Sequence, residues 1–326
     1  MKQLLIVSLF VLMVAPALMA EDGDGGYAAP WLQVPIGARP AAMGGAYLAI
    51  SDDGAGPLYN PAGVAKLRRP MISSSYRAMQ LDRSLAYVTA LSPIRGQASM
   101  GVHWLYAGSG KVEARDVDGY LRGYDVSMSA NNIVIVFAKQ ITPFFSAGVN
   151  MSYILLDMPE LDANSVGFDF GALFYIDQLV DREKREDMPV RDIQIGFTVK
   201  NLSKSFRWVS DDYVLKYTVG GASTEQIDDV PVEFGGGISA RFLKRRLLTA
   251  VDVIKSVDQG AEFHAGAEYF LTPEFMLRSG YSDGSITAGT GYLFQIGNNG
   301  LAIDYAFSSE KVEEGSEHIF SFDFLF

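Results

Sequence analysis

From Pro70 to the last residue the chain is a succession of segments, about ten residues each, whose side chains alternate in character with a period of two. Between Asp192 and Lys200, Ile193, Ile195, Phe197 and Val199 fall on one face, opposite Gln194, Gly196 and Thr198. Between Gly260 and Phe270, Ala261, Phe263, Ala265, Ala267 and Tyr269 oppose Glu262, His264, Gly266 and Glu268. Leu301, Ile303, Tyr305 and Phe307 oppose Asp304 in the same way. Wound into helices, such segments would spread charge around their whole circumference; extended, they separate an apolar face from a polar one. Length and period are those of transmembrane β-strands.

Fourteen such strands are expected, near residues 71–79, 84–91, 98–107, 131–139, 144–156, 165–176, 192–200, 232–241, 247–254, 261–270, 275–281, 286–296, 301–307 and 319–326. An even number suits an all-β, antiparallel bacterial barrel, whose two ends differ in loop length. Short or Pro/Gly-bearing turns (92–96, 141–143, 243–245, 271–273, 297–300) alternate with long polar loops at 108–130 and 202–230. The first set is expected in the periplasm. Residues 177–191 depart from the pattern: they are long and densely charged on the short-turn side, a solvated loop or a docking handle. The last strand ends the chain with Phe320, Phe322, Phe324 and Phe326 on one face. In water that face would invite aggregation, and in lipid it is solvated.

The first twenty residues read as a signal peptide: Lys2, an apolar run from Leu4 to Ala15, and small residues up to Ala20. A retained anchor is the alternative. The mature chain would begin near Glu21, in the outer membrane of a Gram-negative cell. There is no cysteine, which excludes disulfides, cysteine-based metal sites and a lipid-modified N-terminus. The formal charge of −11 becomes one unit more negative without Lys2, and argues against nucleic acid as a partner.

Residues 36–64 are the densest stretch of glycine, with Gly44, Gly45, Gly54, Gly56 and Gly63, and contain Pro57 and Pro61. Asp52-Asp53-Gly54 and Tyr59-Asn60-Pro61-Ala62-Gly63 read as tight turns, and GGAYLAI as a short strand or one helical turn. Such a segment cannot bury much by itself. Placed before a barrel it reads as a plug (residues 21–69, followed by a barrel at 70–326), the alternative being a plain surface loop. The order GAR…MGGAY…SDD…YNPAG closely resembles the N-terminal region of PorV/PorQ-type outer-membrane proteins, within the FadL-type barrel superfamily. That resemblance identifies Asn60, Pro61 and Ala62 with the Asn-Pro-Ala element of the hatch. The terminal phenylalanines resemble the signal by which such barrels are recognised for assembly.

Inward polar faces would carry Asp169, Asp192, Lys200, Glu233, Asp252, Glu262, His264, Glu268, Arg278, Asp304 and Asp323. Buried charges need partners, so a salt-bridged, hydrated interior that grips the plug is expected; the sharper reading is a wet path whose acidic lining disfavours anions. His103, His264 and His318 sit on separate strands without the spacing of a nucleophile site, so no catalytic residue is expected. Glu262, His264 and Glu268 share a strand face, yet the outer pair lie about 20 Å apart at strand rise, too far for one metal ion. Asp52-Asp53-Gly54 lacks the further ligands of a calcium loop, and no metal or cofactor is expected.

The resemblance implies a non-enzymatic accessory to protein secretion or surface attachment. Outer-membrane lipid, the barrel-assembly machinery, secretion components and exported cargo would be its partners. The loops at 108–130 and 202–230 would carry the contacts, with Trp208 and Tyr213 beside Asp211-Asp212 as candidates. The alternative is a FadL-like passive channel for hydrophobic small molecules. Gly235-Gly236-Gly237 would then kink a strand beside a lateral opening, or merely let the plug approach the wall. A purely structural barrel is the third reading.

Overall fold

The computed structural model describes residues 28–116, 118–158, 161–180, 189–209, 225–282, 284–309 and 316–326. The expected signal peptide, Asp211, Asp212 and Tyr213 lie outside them, as do residues 181–188 of the charged connection. In chain order the strands are β1 (Met71–Ala78), β2 (Ser84–Ile94), β3 (Ala98–Gly108), β4 (Val112–Arg115), β5 (Leu121–Val126), β6 (Ser129–Thr142), β7 (Phe145–Met158), β8 (Leu161–Tyr175) and β9 (Arg191–Leu202). They continue as β10 (Ser205–Val209), β11 (Glu225–Asp229), β12 (Glu233–Phe242), β13 (Leu247–Ser256), β14 (Ala261–Phe270), β15 (Phe275–Ser282), β16 (Ser285–Ile296), β17 (Asn299–Ser309) and β18 (Ser316–Leu325).

Fourteen of them close into one antiparallel barrel, sealed where β1 meets β18 with Met71 opposite Leu325 and Ala78 opposite His318. The N–H of Phe326 donates to the Pro70 carbonyl at 3.0 Å and finishes that seam. Period-two alternation is visible strand by strand. On β1, Ser73, Ser75 and Arg77 are buried in the lumen while Ile72 and Tyr76 are exposed outside. Val88, Val102, Ile135, Phe137, Met151 and Phe263 extend the same outer apolar belt. A water-soluble fold buries such a face; a barrel in lipid leaves it solvated by hydrocarbon.

The long connections differ from the plain loops expected of them. β4–β5 and β10–β11 form two separate hairpins at the long-loop end, and β10 packs back against β8 with Phe206 fully buried. Trp208, read as a partner contact, donates its indole N–H to Asp228 across the second hairpin at 2.7 Å. Gly235-Gly236-Gly237 does not kink its strand, since pairing with both β9 and β13 runs through it without a break. The wall is irregular elsewhere, between β8 and β9, where register shifts beside Asn201 (φ 64°).

Residues 36–65 lie inside the barrel, where all but Arg39, Asp52 and Leu58 are buried. This segment consists of α1 (Ala38–Ala42), a run of turns, α2 (Gly56–Tyr59) and a 3-10 helix over Pro61–Lys66. GGAYLAI forms turns, neither strand nor helix. Asn60 does more than turn the chain: its side chain caps the 3-10 helix by accepting from Ala62 N at 3.0 Å. α1 packs against β15 to β18 and the 3-10 helix against β3, β6, β7 and β8, so the segment bridges opposite walls.

Candidate functional site

Close approach of the segment to the wall depends on glycine pairs that face each other across neighbouring strands. Gly148 opposes Gly171, Gly196 opposes Gly237, and Gly266 opposes Gly280. A Cβ on the first pair would strike Asn60, Pro61 or Ala62; on Gly196, Leu48; on Gly237, the Asp252 carboxylate, with Leu48 next nearest; on the third pair, Met43 or Gly44. Five of these six inward positions carry no side chain because the segment occupies the space, and Gly237 leaves room for the carboxylate that fastens it. Gly44 (φ 65°) and Gly45 (φ 80°) shape the facing turn, and a Cβ on Gly44 would enter the backbone of Tyr281. Gly63 is pressed likewise against the Ser51 carbonyl.

Polar groups then fasten what the glycines admit. Asn60, fully buried, donates its amide to the carbonyls of Leu48 (2.8 Å) and Ala172 (3.1 Å). Asp252 of β13 accepts from the backbone N–H groups of Tyr47 (2.5 Å) and Leu48 (2.7 Å). Asp53 accepts from the Tyr47 hydroxyl and from Ala55 N and Gly56 N. His264 meets the Gly44 carbonyl through Nδ1 at 2.8 Å, while its Nε2 lies 3.6 Å from Glu262.

The charged residues expected in the lumen form an ionic chain centred on one residue of the segment. Arg39 grips Glu268 with two N–H groups, at 2.8 and 3.0 Å, and reaches Asp52 at 2.7 Å and the Tyr47 hydroxyl at 2.8 Å. Glu268 also accepts from Arg278 (2.7 Å), which donates to Asp304 (2.5 Å). Glu268, Arg278 and Asp304 are almost wholly enclosed, so each charge is balanced where water cannot screen it. Arg39 is central to this chain, and the sequence reading holds it only as the last residue of the GAR element, with no partner or role assigned. Asp169 pairs instead with Lys204 at 2.9 Å, and Asp323 lies beside the small space around Arg39 and Asp53. Asp192 sits at the short-turn rim, with Arg245 at 3.0 Å and Arg241 at 3.8 Å. Phe320, Phe322 and Phe326 face outward, 46–47 % exposed.

The segment divides the lumen. On the short-turn side a vestibule of about 400 Å³ is bounded by Asp52, Lys66, Tyr175, Asp192 and Arg241. Burial draws the Lys66 ammonium, which lies over the Tyr175 ring, down to a pKa of about 8. On the long-loop side lies a cavity of about 100 Å³. Its lining is mixed: apolar Leu32, Val34, Ile36, Leu58, Leu105 and Val134 are interspersed with His103, Asn132, Asn150, Lys200, Glu233 and Glu262, and on β3 and β6 His103 faces Val134 while Leu105 faces Asn132. Lys200 also places its ammonium 5.8 Å from the Tyr59 ring centre. The apolar side chains continue toward the long-loop end as a cluster that includes Leu85, Tyr87, Leu105, Ile154 and Phe206. Gln33 is tied to Gln259 at 2.8 Å and the Pro35 carbonyl accepts from Arg77 at 2.8 Å, which fixes residues 33–35 as part of the cavity wall. Among the described residues no three His, Asp or Glu side chains converge as a metal site.

No protein-family model and no curated protein matches the chain. Solved structures do. The toluene transporter TbuX of Ralstonia pickettii aligns over 89 % of this chain and 98 % of its own, with a TM-score of 0.61 at 14 % identity. A FadL homologue of Pseudomonas aeruginosa aligns over 93 % and 99 % (TM-score 0.58, 13 % identity). The toluene transporter TodX of Pseudomonas putida aligns over 94 % and 98 % (TM-score 0.57, 12 % identity). The chain has the fold of the FadL-type outer-membrane barrels.

Proposed function

We propose that this protein is a passive channel that carries small apolar molecules across an outer membrane. The observation that carries the reading is the apolar character of the long-loop half of the lumen, where Leu85, Leu105, Ile154 and Phe206 turn inward and pack with Trp31, Leu32 and Ile36 beside the cavity above the plugging segment. A water-filled pore has a polar interior; an inward apolar path suits solutes that leave water readily. The neighbours of known structure, TbuX and TodX, are toluene transporters, which supports the same reading. The accessory role in protein secretion rests on the resemblance of residues 36–64 to PorV/PorQ-type proteins, and the neighbours favour the channel over it.

Uptake of radiolabelled toluene by cells with an intact lipopolysaccharide leaflet tests the proposal. Expression of the protein should raise the initial rate several-fold, and Leu105→Glu, which sets a charge in the apolar path, should abolish the gain without lowering the amount of folded barrel. Uptake indifferent to the presence of the protein would overturn it.

A further inference from the structure

Three inward polar side chains share one property that the fold does not explain. His103 on β3 is 1 % exposed and neither ring nitrogen has a hydrogen-bond partner. Asn132 on β6 and Asn150 on β7 are 3 % and 2 % exposed, and the side-chain oxygen of each is likewise unpaired. The Asn150 amide is oriented by donation to the Pro57 carbonyl at 2.8 Å, so its oxygen is the atom left over. Leaving such groups unsatisfied costs free energy that native folds generally avoid. All three residues line the cavity above the segment, interspersed with apolar Leu58, Leu105 and Val134.

We infer that this cavity is a binding site for small neutral hydroxylated hydrocarbons, of the class of short-chain alcohols. The inference rests on the channel reading and names the solute that the channel selects. A neutral imidazole offers one N–H and one acceptor, and each asparagine oxygen offers an acceptor. A hydroxyl donates once and accepts, so one such group on an apolar body pairs with the imidazole N–H and with one of the acceptors beside it, whereas a plain hydrocarbon pairs with none of them. Carboxylates are disfavoured by charge. The lining holds two lysines (Lys200 and Lys204) against three acids (Asp169, Glu233 and Glu262), and Lys204 is already committed to Asp169 at 2.9 Å. The volume sets the size. At about 100 Å³ the cavity is smaller than the ~150 Å³ that accepts benzene in an engineered apolar cavity, so a short alkyl chain fits and an aromatic ring does not.

Titration calorimetry on the protein in lipid nanodiscs, with 1-butanol, n-pentane and butanoate as probes, tests the assignment. The first two share a short unbranched body of equal heavy-atom count and differ in the hydroxyl. 1-Butanol should bind about tenfold more tightly than n-pentane, equivalent to ~1.4 kcal/mol, and butanoate should bind most weakly. His103→Phe should erase the butanol preference while n-pentane still binds, and His103→Gln, which keeps a donor and an acceptor, should restore most of it. Heat-modifiable gel mobility confirms that each variant is folded. Equal affinity for 1-butanol and n-pentane, meaning that ordered water satisfies the three side chains, would overturn the inference but leave the channel standing. Preferential butanoate binding would overturn the neutral class. No binding of any probe would remove both this inference and the cavity's part in the channel.

Discussion

Arg39→Met keeps most of the apolar stem of the arginine and removes its guanidinium, which makes it a direct test of what holds the segment in the lumen. The guanidinium bonds Glu268 twice, Asp52 once and the Tyr47 hydroxyl once, with a longer contact to Asp53 at 3.4 Å. Breaking a buried ion pair by deleting one partner costs about 3–5 kcal/mol. Here the lower end applies. Arg278 remains on Glu268 at 2.7 Å, and Asp52, half exposed, is rehydrated. A loss of ~3 kcal/mol at the contact between segment and wall raises the undocked population roughly 100-fold, at ~1.4 kcal/mol per decade. Single-channel recording in planar bilayers reads that population as the fraction of time in an ion-conducting state. Adding Glu268→Gln removes the uncompensated carboxylate, leaves Arg278 balanced by Asp304, and should reverse part of the increase. An Arg39→Met channel as quiet as the parent would refute the ionic account and leave the glycine-seated packing as what holds the segment.

Gly44→Ala requires a Cβ where the Tyr281 backbone lies, at a φ of 65°, so chymotrypsin should cleave after Tyr47 in this variant and not in the parent, with the barrel intact on a gel. Burial lowers the Lys66 pKa from 10.5 to about 8, so the folded protein sheds this proton before the unfolded chain does. Docking should therefore strengthen between pH 8 and 10.5, and Lys66 should be acylated at pH 8.5 ahead of other lysines, as peptide mass mapping would show. An even labelling of all lysines would contradict it. Phe326→Ala preserves the backbone bond to Pro70 but removes the terminal ring from the lipid face; it should lower the yield of heat-modifiable folded barrel far more than substitutions in β4 or β5.

The strands are legible in the sequence because the two faces of each meet opposite demands. Ile72 and Tyr76 need hydrocarbon, Ser73 and Arg77 need the polar lumen, and the alternation survives in every register. β4–β5 escapes the same reading for the converse reason. Both faces of β4 and β5 are largely exposed, as in Leu121–Val126, so no alternation is imposed on them. The polar residues of the lumen are recognisable as a set, but their pairing is not. Arg39 and Glu268 are 229 positions apart, and Asn60 and Ala172 are 112 apart, distances over which a single sequence carries no pattern.

One further signal lies in the sequence: glycine at inward positions where the strand pattern calls for a polar side chain. Gly148, Gly171, Gly196, Gly237, Gly266 and Gly280 each occupy such a place, and each marks a point where the plugging segment arrives. Together they outline the seat of residues 43–62 in the barrel wall. The triplet at 235–237 shows why the distinction matters. As a kink it implies an opening in the wall; as part of the seat it implies contact with Leu48, and continuous pairing on both sides of β12 goes with the second meaning. His103 is the opposite case. Its isolation from other histidines makes it uninformative as a catalytic or metal residue, and only the closed lumen reveals that both its nitrogens lack partners. The fold therefore follows from what each strand must place on its two sides, while the site depends on which inward groups the segment satisfies and which it leaves for a solute.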